Sequence, residues 1–479
     1  MLIKMFQGAV AVLHLFLFAF ALGSSKSTMR QSPIPTQALL QYQDREIGAM
    51  FSFDMVTELL DNRNGQHFCI NVGGDRGFPV PPASTWNPTK LNLDNWMDAA
   101  VAMGAKYSVL IAMHCSGFAQ WQTDISSYNG TKGFNYTYST KYSVNQVDLV
   151  HEYMTSSSKY GIVPGLYVSL NENYYLNVGS GKVQPTSTLA PGQVNVTQDV
   201  YNAITVAQQT ELWKRYAGQF GELWFDGSDD IPGVNDALAM YQPQAVYFGG
   251  SMPYNNIRWV GTESGTPTYP VWSNADPGSY GTGNPNGTVF MPAESDTTTN
   301  PNDVWFWNSD YKYRTLQDLQ AVYHATVGSN SNMLLNIAPD ADGLVPDVAM
   351  QLYSSFGSWV KKCYGSPQAS ISYPPDGSNI ILQFTPGLLQ SIDRVVIMEN
   401  QFLGEQVEAY LVTVQTSDGT WQNAGSGSAI GHKRIHIFPK PISNPTAVQV
   451  TITQTIGNFD ASQIKWVSFS AIDGAANQC

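Results

Sequence analysis

Residues 199–228 read DVYNAITVAQQTELWKRYAGQFGELWFDGS, and the order of patterns within them decides the fold. A helix-compatible run, Asp199–Phe220, is followed at once by a short apolar strand, Leu223–Asp226, that ends in a carboxylate and a glycine. The same alternation extends in both directions, from Glu46 to Tyr364. Strands are expected at Ile47–Phe53, Tyr107–Met113, Ile162–Leu170, Ala245–Phe248 and Met333–Ile337. Helices are expected at Leu93–Met103, Val144–Lys159, Leu316–Val327 and Pro346–Lys361. Strands separated by helices must pair in parallel, and over this length a closed (β/α)8-like (TIM) barrel is the favoured solution. Beyond Gly365–Pro367 the helical period disappears. Short runs at Ile380–Phe384, Arg394–Met398, Ala409–Gln415, Ile435–Phe438 and Ala447–Thr453 alternate with turn residues, the signature of an antiparallel β-sandwich. The expected organisation is a signal peptide at 1–23, a catalytic barrel domain at 24–365 and a β-sandwich domain at 366–479.

Composition narrows the function. The chain of 479 residues carries 24 Lys+Arg against 37 Asp+Glu, a net charge of −13, and only 13% of its residues are charged. It holds 12 Trp, 25 Tyr and 21 Phe, too aromatic for a disordered chain. The acidic balance argues against a nucleic-acid partner, because phosphate neutralisation needs a surplus of Lys and Arg. Four cysteines are too few for a disulfide scaffold. Few charges with many aromatic, amide and hydroxyl side chains fit a protein that handles a neutral polar ligand such as a sugar.

The N-terminus indicates the compartment. Lys4 precedes an apolar run from Ala9 to Leu22, broken only by His14, and Ala21 and Gly23 supply small residues for cleavage. The competing reading, an uncleaved anchor, needs about 20 spanning residues, more than this run provides. Acceptor sequons for glycosylation occur at Asn129, Asn135, Asn195 and Asn286. Cys69, Cys115, Cys363 and Cys479 allow three pairings, and none has zinc or redox spacing. A secreted glycoprotein is expected, extracellular or delivered to a lysosome or vacuole, with no membrane contact after signal cleavage.

The chemistry-bearing residues sit where barrel strands end: His114, Asn171 and Glu172, Asp226, and Asn336. Asp226, followed by Gly227, is placed to act as a nucleophile or ligand, the alternative being an ordinary Asp-Gly turn. Glu263 lies in Arg258-Trp-Val-Gly-Thr-Glu263-Ser-Gly, read as a polar loop flanked by Trp259 and Trp272. There it is either a general acid or a surface carboxylate paired with Arg258. Glu294 and Asp296 form a third carboxylate group just before Trp305-Phe-Trp307, two rings read equally as core or as a stacking platform. Hydrolysis of a glycosidic bond needs two flanking carboxylates, so three candidate positions compete. The seven His show no metal-ligand spacing, and no G-x-S-x-G elbow is present.

Together these segments resemble glycoside hydrolase family 29, the α-L-fucosidases. Lys106–Phe118 is similar to the family's strand ending K-H-H-D-G-F; Leu223–Gly227 to its W-x-D-G segment; Arg258–Gly265 to the R-W-x-G-x-E-x-G loop of one branch. Leu334–Pro346 is similar to its L-L-N-x-x-P-x-x-x-G-x-x-P turn, Pro292–Asp296 with Trp305-Phe-Trp also fits, and the stretch around Gly431–Ile435 resembles its β-sandwich. The resemblance implies a retaining exo-hydrolase of terminal α-L-fucose acting on fucosylated oligosaccharides or polysaccharides, without metal or cofactor. It implies Asp226 as nucleophile and Glu263 as acid/base, with Glu294 the competitor and otherwise a sugar contact. His114, Trp224 and Trp305 would line the pocket. Three positions depart from the family pattern: Phe53, Cys115 and Ser116 stand where typical members carry His, His and Asp. Those departures raise two alternatives, a fucose-binding lectin-like protein and a glycosidase for a related sugar such as an α-L-galactoside.

Overall fold

The computed structural model describes residues 30–60, 78–125, 134–227, 231–367, 369–371, 379–383, 390–457 and 464–469. The expected signal peptide, Cys69, Cys479 and the Asn129 sequon lie outside the described residues.

Eight strands close into a parallel barrel in sequential order: β1 (Ile47–Phe51), β2 (Tyr107–Met113), β3 (Val163–Ser169), β4 (Glu222–Asp226), β5 (Val246–Phe248), β6 (Asn256–Trp259), β7 (Ala293–Thr297) and β8 (Ser331–Ile337), which pairs back onto β1. Around them lie α1 (Gln37–Arg45), α2 (Met55–Leu60), α3 (Leu93–Met103), α4 (Leu149–Tyr160), α5 (Gln198–Arg215), α6 (Val234–Tyr241), α7 (Leu316–Ala325) and α8 (Asp347–Tyr364). Helix starts follow from side-chain capping. Asn92 accepts from the Asp94 and Asn95 amides at α3, Asp148 from His151 at α4, and Thr315 with Asp318 forms a capping box at α7. The Asp148 cap moves the start of α4 five residues past the expected Val144.

The alternation has two gaps. The β5–β6 and β6–β7 connections, 249–255 and 260–292, hold no helix. Strands β6 and β7 are themselves a correction: Arg258 and Trp259 lie on a barrel strand, not in a loop, and Glu294 and Asp296 sit inside another.

Successive strand residues face opposite sides, so alternate positions fill the barrel in layers. The lower layer takes Tyr107 from β2, Glu222 from β4 and Glu294 from β7, with Tyr42 rising from α1 beneath; Tyr42 and Tyr107 both donate to Glu294. Gly48 makes room for this layer, since a Cβ there would meet the Tyr107 ring at 2.3 Å. Above lie Tyr167, Trp224 and Phe248, with Trp224 stacked 3.9 Å from Phe248 and 5.1 Å from Tyr167.

The C-terminal part is a two-sheet antiparallel sandwich. Its strands are β9 (Ala369–Ile371), β10 (Asn379–Gln383), β11 (Ser391–Glu399), β12 (Val407–Thr416), β13 (Trp421–Gly427), β14 (Arg434–Ser443), β15 (Pro445–Thr455) and β16 (Ile464–Phe469). They are ordered β9-β16-β11-β14 and β10-β15-β12-β13. Inward-facing Ile, Val and Leu of both sheets, such as Ile392, Ile397, Val412 and Val450, form one core between them. Among the described residues no helix is long and apolar enough to cross a membrane.

Candidate active site

A cavity of about 580 Å³ opens at the C-terminal ends of the barrel strands, within the usual size range of small-molecule pockets. Asp226, Glu263, Asp296, Glu172, His114 and Cys115 supply its polar wall, and Tyr167, Trp224, Trp305 and Phe306 its aromatic one.

Asp226 is the last residue of β4 and is exposed to the cavity. The Tyr167 hydroxyl, from the neighbouring strand, donates to its Oδ2 at 2.6 Å. Burial and the Asp226 charge hold the Tyr167 phenol well above its ordinary value, so it keeps its proton and remains a donor. The chain must turn away immediately after the carboxylate. Gly227 has φ 88°, and a Cβ there would stand 1.9 Å from Asn171 Nδ2. Only glycine satisfies both conditions.

Glu263 lies in the β6–β7 connection, and its Oε2 accepts from Trp305 Nε1 at 3.2 Å. Its expected companions are not the ones it has. Arg258 is buried and turned the other way. It donates to the carbonyls of Gly281 (2.8 Å), Trp272 (2.5 Å) and Met291, so it holds the long loop by its backbone. Burial lowers the Arg258 pKa to about 10, against the pull of Glu405. Trp259 donates to Asp296 Oδ1 at 2.7 Å, and Trp272 is buried away from the cavity. Asp296 is buried too, and burial, with Glu294 and Glu263 nearby, raises it well above the ordinary carboxylate range.

Glu294 does not reach the cavity. It lies below the floor, fully buried, accepting from Tyr42 (2.6 Å), Tyr107 (2.8 Å) and Trp224 Nε1 (3.0 Å). Burial raises both Glu294 and its neighbour Glu222, Glu222 also through the Glu294 charge. Glu294 therefore holds Trp224 from beneath and forms no part of the cavity lining.

His114, just past β2, lies 5.6 Å from Tyr167 in a stack and 4.9 Å from Phe306 edge-on. Loss of solvent lowers its pKa to about 4, opposed by Asp226, so the ring is neutral above that. Its Nδ1 lies 3.0 Å from Cys115 Sγ. Cys115 is in a disulfide, as is Cys363, and a disulfide sulfur carries no proton. Nδ1–H is then the donor, and Nε2 is left as an acceptor.

The three departures fall in different places. Phe53 is wholly buried between Trp86 and Trp96, and Ser116 is buried, donating to Asp54 at 2.7 Å. Only Cys115 lines the cavity. Asn336 does not line it either; its amide donates to the Trp305 carbonyl at 2.6 Å. Trp305 lines it and Trp307 does not. Tyr167 was not singled out from the sequence, although it sits two residues before the end of a legible strand; of the third candidate carboxylate pair, Asp296 lines the cavity and Glu294 does not. Asn135, Asn195 and Asn286 are exposed. Among the described residues, no three His, Cys, Asp or Glu side chains are grouped as metal ligands.

The family model described as alpha-L-fucosidase matches residues 18–365. Alpha-L-fucosidase 1 of Arabidopsis thaliana is 25% identical over 460 residues, covering 85% of this chain and 82% of that protein. A crystal structure from Bacteroides thetaiotaomicron, assigned as an α-L-fucosidase, superposes with a TM-score of 0.79 at 28% identity, over 92% of this chain and 100% of that one. A family 29 fucosidase of Ruminococcus gnavus, solved in complex with fucose, shares the fold at 17% identity, with a TM-score of 0.69 over 94% of this chain and 97% of that one. With a family match that takes in all eight barrel strands, the chain belongs to the α-L-fucosidases, glycoside hydrolase family 29.

Proposed function

We propose that the protein removes terminal α-L-fucose from glycans by double displacement. The observation that carries this reading is that Asp226 and Glu263 open into one cavity while Glu294 does not. In the first step an Asp226 oxygen attacks the anomeric carbon as Glu263 gives a proton to the glycosidic oxygen. The C1–O bond breaks, the glycan leaves as an alcohol, and a fucosyl–Asp226 ester forms. In the second, Glu263 as carboxylate takes a proton from water, whose oxygen attacks C1 and expels Asp226, releasing fucose with its configuration retained.

The other residues have supporting roles in this scheme. Tyr167 steadies Asp226 through its 2.6 Å hydrogen bond. Neutral His114 accepts from a sugar hydroxyl at Nε2. Trp305 faces the apolar side of the ring, while Trp224, stacked between Phe248 and Tyr167, lines the pocket and is fixed from below by Glu294. Disulfide-bonded Cys115 and Cys363 and exposed sequons at Asn135, Asn195 and Asn286 support an oxidising secretory route. The protein is read as a secreted glycoprotein, so enzymatic deglycosylation should lower the mass of the secreted form.

The test is fucose release from 4-nitrophenyl α-L-fucoside, α-1,2-, α-1,3- and α-1,4-fucosylated oligosaccharides and an α-L-galactoside, with Asp226→Asn run beside the wild type. Proton NMR in the first minutes should show α-fucose before mutarotation. Release that survives in Asp226→Asn, or β-fucose as first product, would sink the scheme.

A further inference from the structure

The cavity wall at 302–306 has no regular secondary structure, yet it carries the one side chain that, among the described residues, donates to Glu263. What holds that wall is Asn336, at the end of β8. Its Nδ2 donates to the Trp305 carbonyl at 2.6 Å, and its Oδ1 accepts from Ser52 Oγ at 2.6 Å. A carbonyl only accepts, so the orientation of the amide is fixed by chemistry: the NH2 must face Trp305 and the oxygen must face Ser52. Both anchors are rigid. Asn336 and Ser52 are each fully buried, Asn336 is paired with Met50 in the barrel, and the Ser52 amide donates to the Ile337 carbonyl at 3.0 Å.

We propose that Asn336 is a positioning residue for the general acid. Ser52 orients the Asn336 amide, the amide sets the Trp305 backbone, and the Trp305 indole N–H sets the Glu263 carboxyl. The Glu263 position is thereby referred to the closed barrel instead of to a free loop. Proton transfer is sensitive to such placement, because a donor must stay within hydrogen-bond reach of the leaving oxygen. The double requirement is for a donor and an acceptor on one short side chain. Asp offers no donor to the Trp305 carbonyl, and Ala offers neither group. The proposal rests on Glu263 being the acid.

Leaving-group chemistry separates this role from a merely structural one. Nitrophenolate leaves with little protonation, whereas a sugar alkoxide needs the proton. Asn336→Ala should lower kcat/KM on a fucosylated oligosaccharide about tenfold more than on 4-nitrophenyl α-L-fucoside, the worth of one charge-assisted hydrogen bond. The extra loss should vanish when Asn336→Ala is placed in a Glu263→Gln background. Trp305→Phe, which keeps the loop anchor and an aromatic ring but removes the indole N–H, should show the same substrate split and covers the case in which Asn336→Ala folds poorly; its loss of ring area falls on both substrates alike. Equal losses on both substrates in Asn336→Ala and Trp305→Phe, with Glu263→Gln still crippled on the oligosaccharide, overturn the positioning role alone. A Glu263→Gln enzyme that turns over the oligosaccharide at the wild-type rate overturns the acid assignment and the positioning role together.

Discussion

Replacing Glu294 separates a structural carboxylate from a catalytic one. In Glu294→Ala, three buried donors lose their acceptor: the Tyr42 and Tyr107 hydroxyls and the Trp224 indole N–H. Each orphaned buried donor costs about 1–3 kcal/mol. Relief of Glu222, which no longer faces a second carboxyl, gives part of that back. A net loss of about 4 kcal/mol is expected, a fall in Tm on the order of 10 °C. Glu294→Gln keeps one acceptor oxygen for the two tyrosines, leaves the Trp224 N–H facing an NH2 and removes the like charge beside Glu222, so it should cost about 1–2 kcal/mol, well under the Ala variant. Differential scanning fluorimetry gives the Tm, and kcat/KM on aryl and oligosaccharide substrates gives the chemistry. The expected pattern is a cold-shifted Ala variant and a Gln variant with near-normal turnover on both substrates. A Gln variant with normal Tm that fails only on the oligosaccharide would mean that Glu294 donates the catalytic proton after all, and would refute the geometric reasoning. The same pair sets a pH trend. Burial raises both Glu222 and Glu294 above 4.5, so the folded state keeps protons that the unfolded chain releases. Their contribution is complete below pH 4.5 and is lost as the pH rises through the folded values, so Glu222→Gln should flatten the fall in Tm toward alkaline pH.

Three further outcomes follow from the site. Tyr167→Phe removes the hydroxyl that donates to Asp226; kcat should drop about tenfold or more on aryl and oligosaccharide substrates alike, because the nucleophile loses the donor that holds it in place. Gly227→Ala meets Asn171 at 1.9 Å and a φ of 88°, so fucosidase activity should be nearly abolished, with Asn171→Ala restoring only part since the backbone strain remains. Asp54 is buried, raised from 3.8 to about 7; its stabilising effect is full below pH 3.8 and lost as pH rises through 7. Asp54→Asn should therefore raise the Tm at pH 8 and leave it little changed at pH 4, as a melting series across pH would reveal.

The legible parts of the fold were those where hydropathy and burial agree. The Tyr107–Met113 strand and the Leu93–Met103 helix match their expected bounds because apolar residues fill the buried positions. The Asn256–Trp259 and Ala293–Thr297 strands were invisible for the opposite reason. Residues 293–297 are all buried, yet read Ala-Glu-Ser-Asp-Thr, since their inward side chains are carboxylates held by tyrosine and tryptophan donors. A hydropathy pattern cannot register a strand whose buried face is polar. Within the site, the strand-end rule found Asp226 and His114, and the resemblance favoured Glu263. The competition with Glu294 needed depth along the barrel axis, which separates two carboxylates that sequence spacing treats alike. Asn336 was noticed as a strand-end residue, but its partner Trp305 is about thirty positions away and the contact is to a carbonyl, which carries no residue-specific signal.

The grip of Arg258 on the β6–β7 connection has an evolutionary consequence. The guanidinium holds carbonyl oxygens, which every amino acid possesses. The segment carrying Glu263 can therefore change its sequence without changing its attachment. Selection is free to redraw the rim that meets the departing glycan while the barrel, and the carboxylate at the tip of β4, stay as they are.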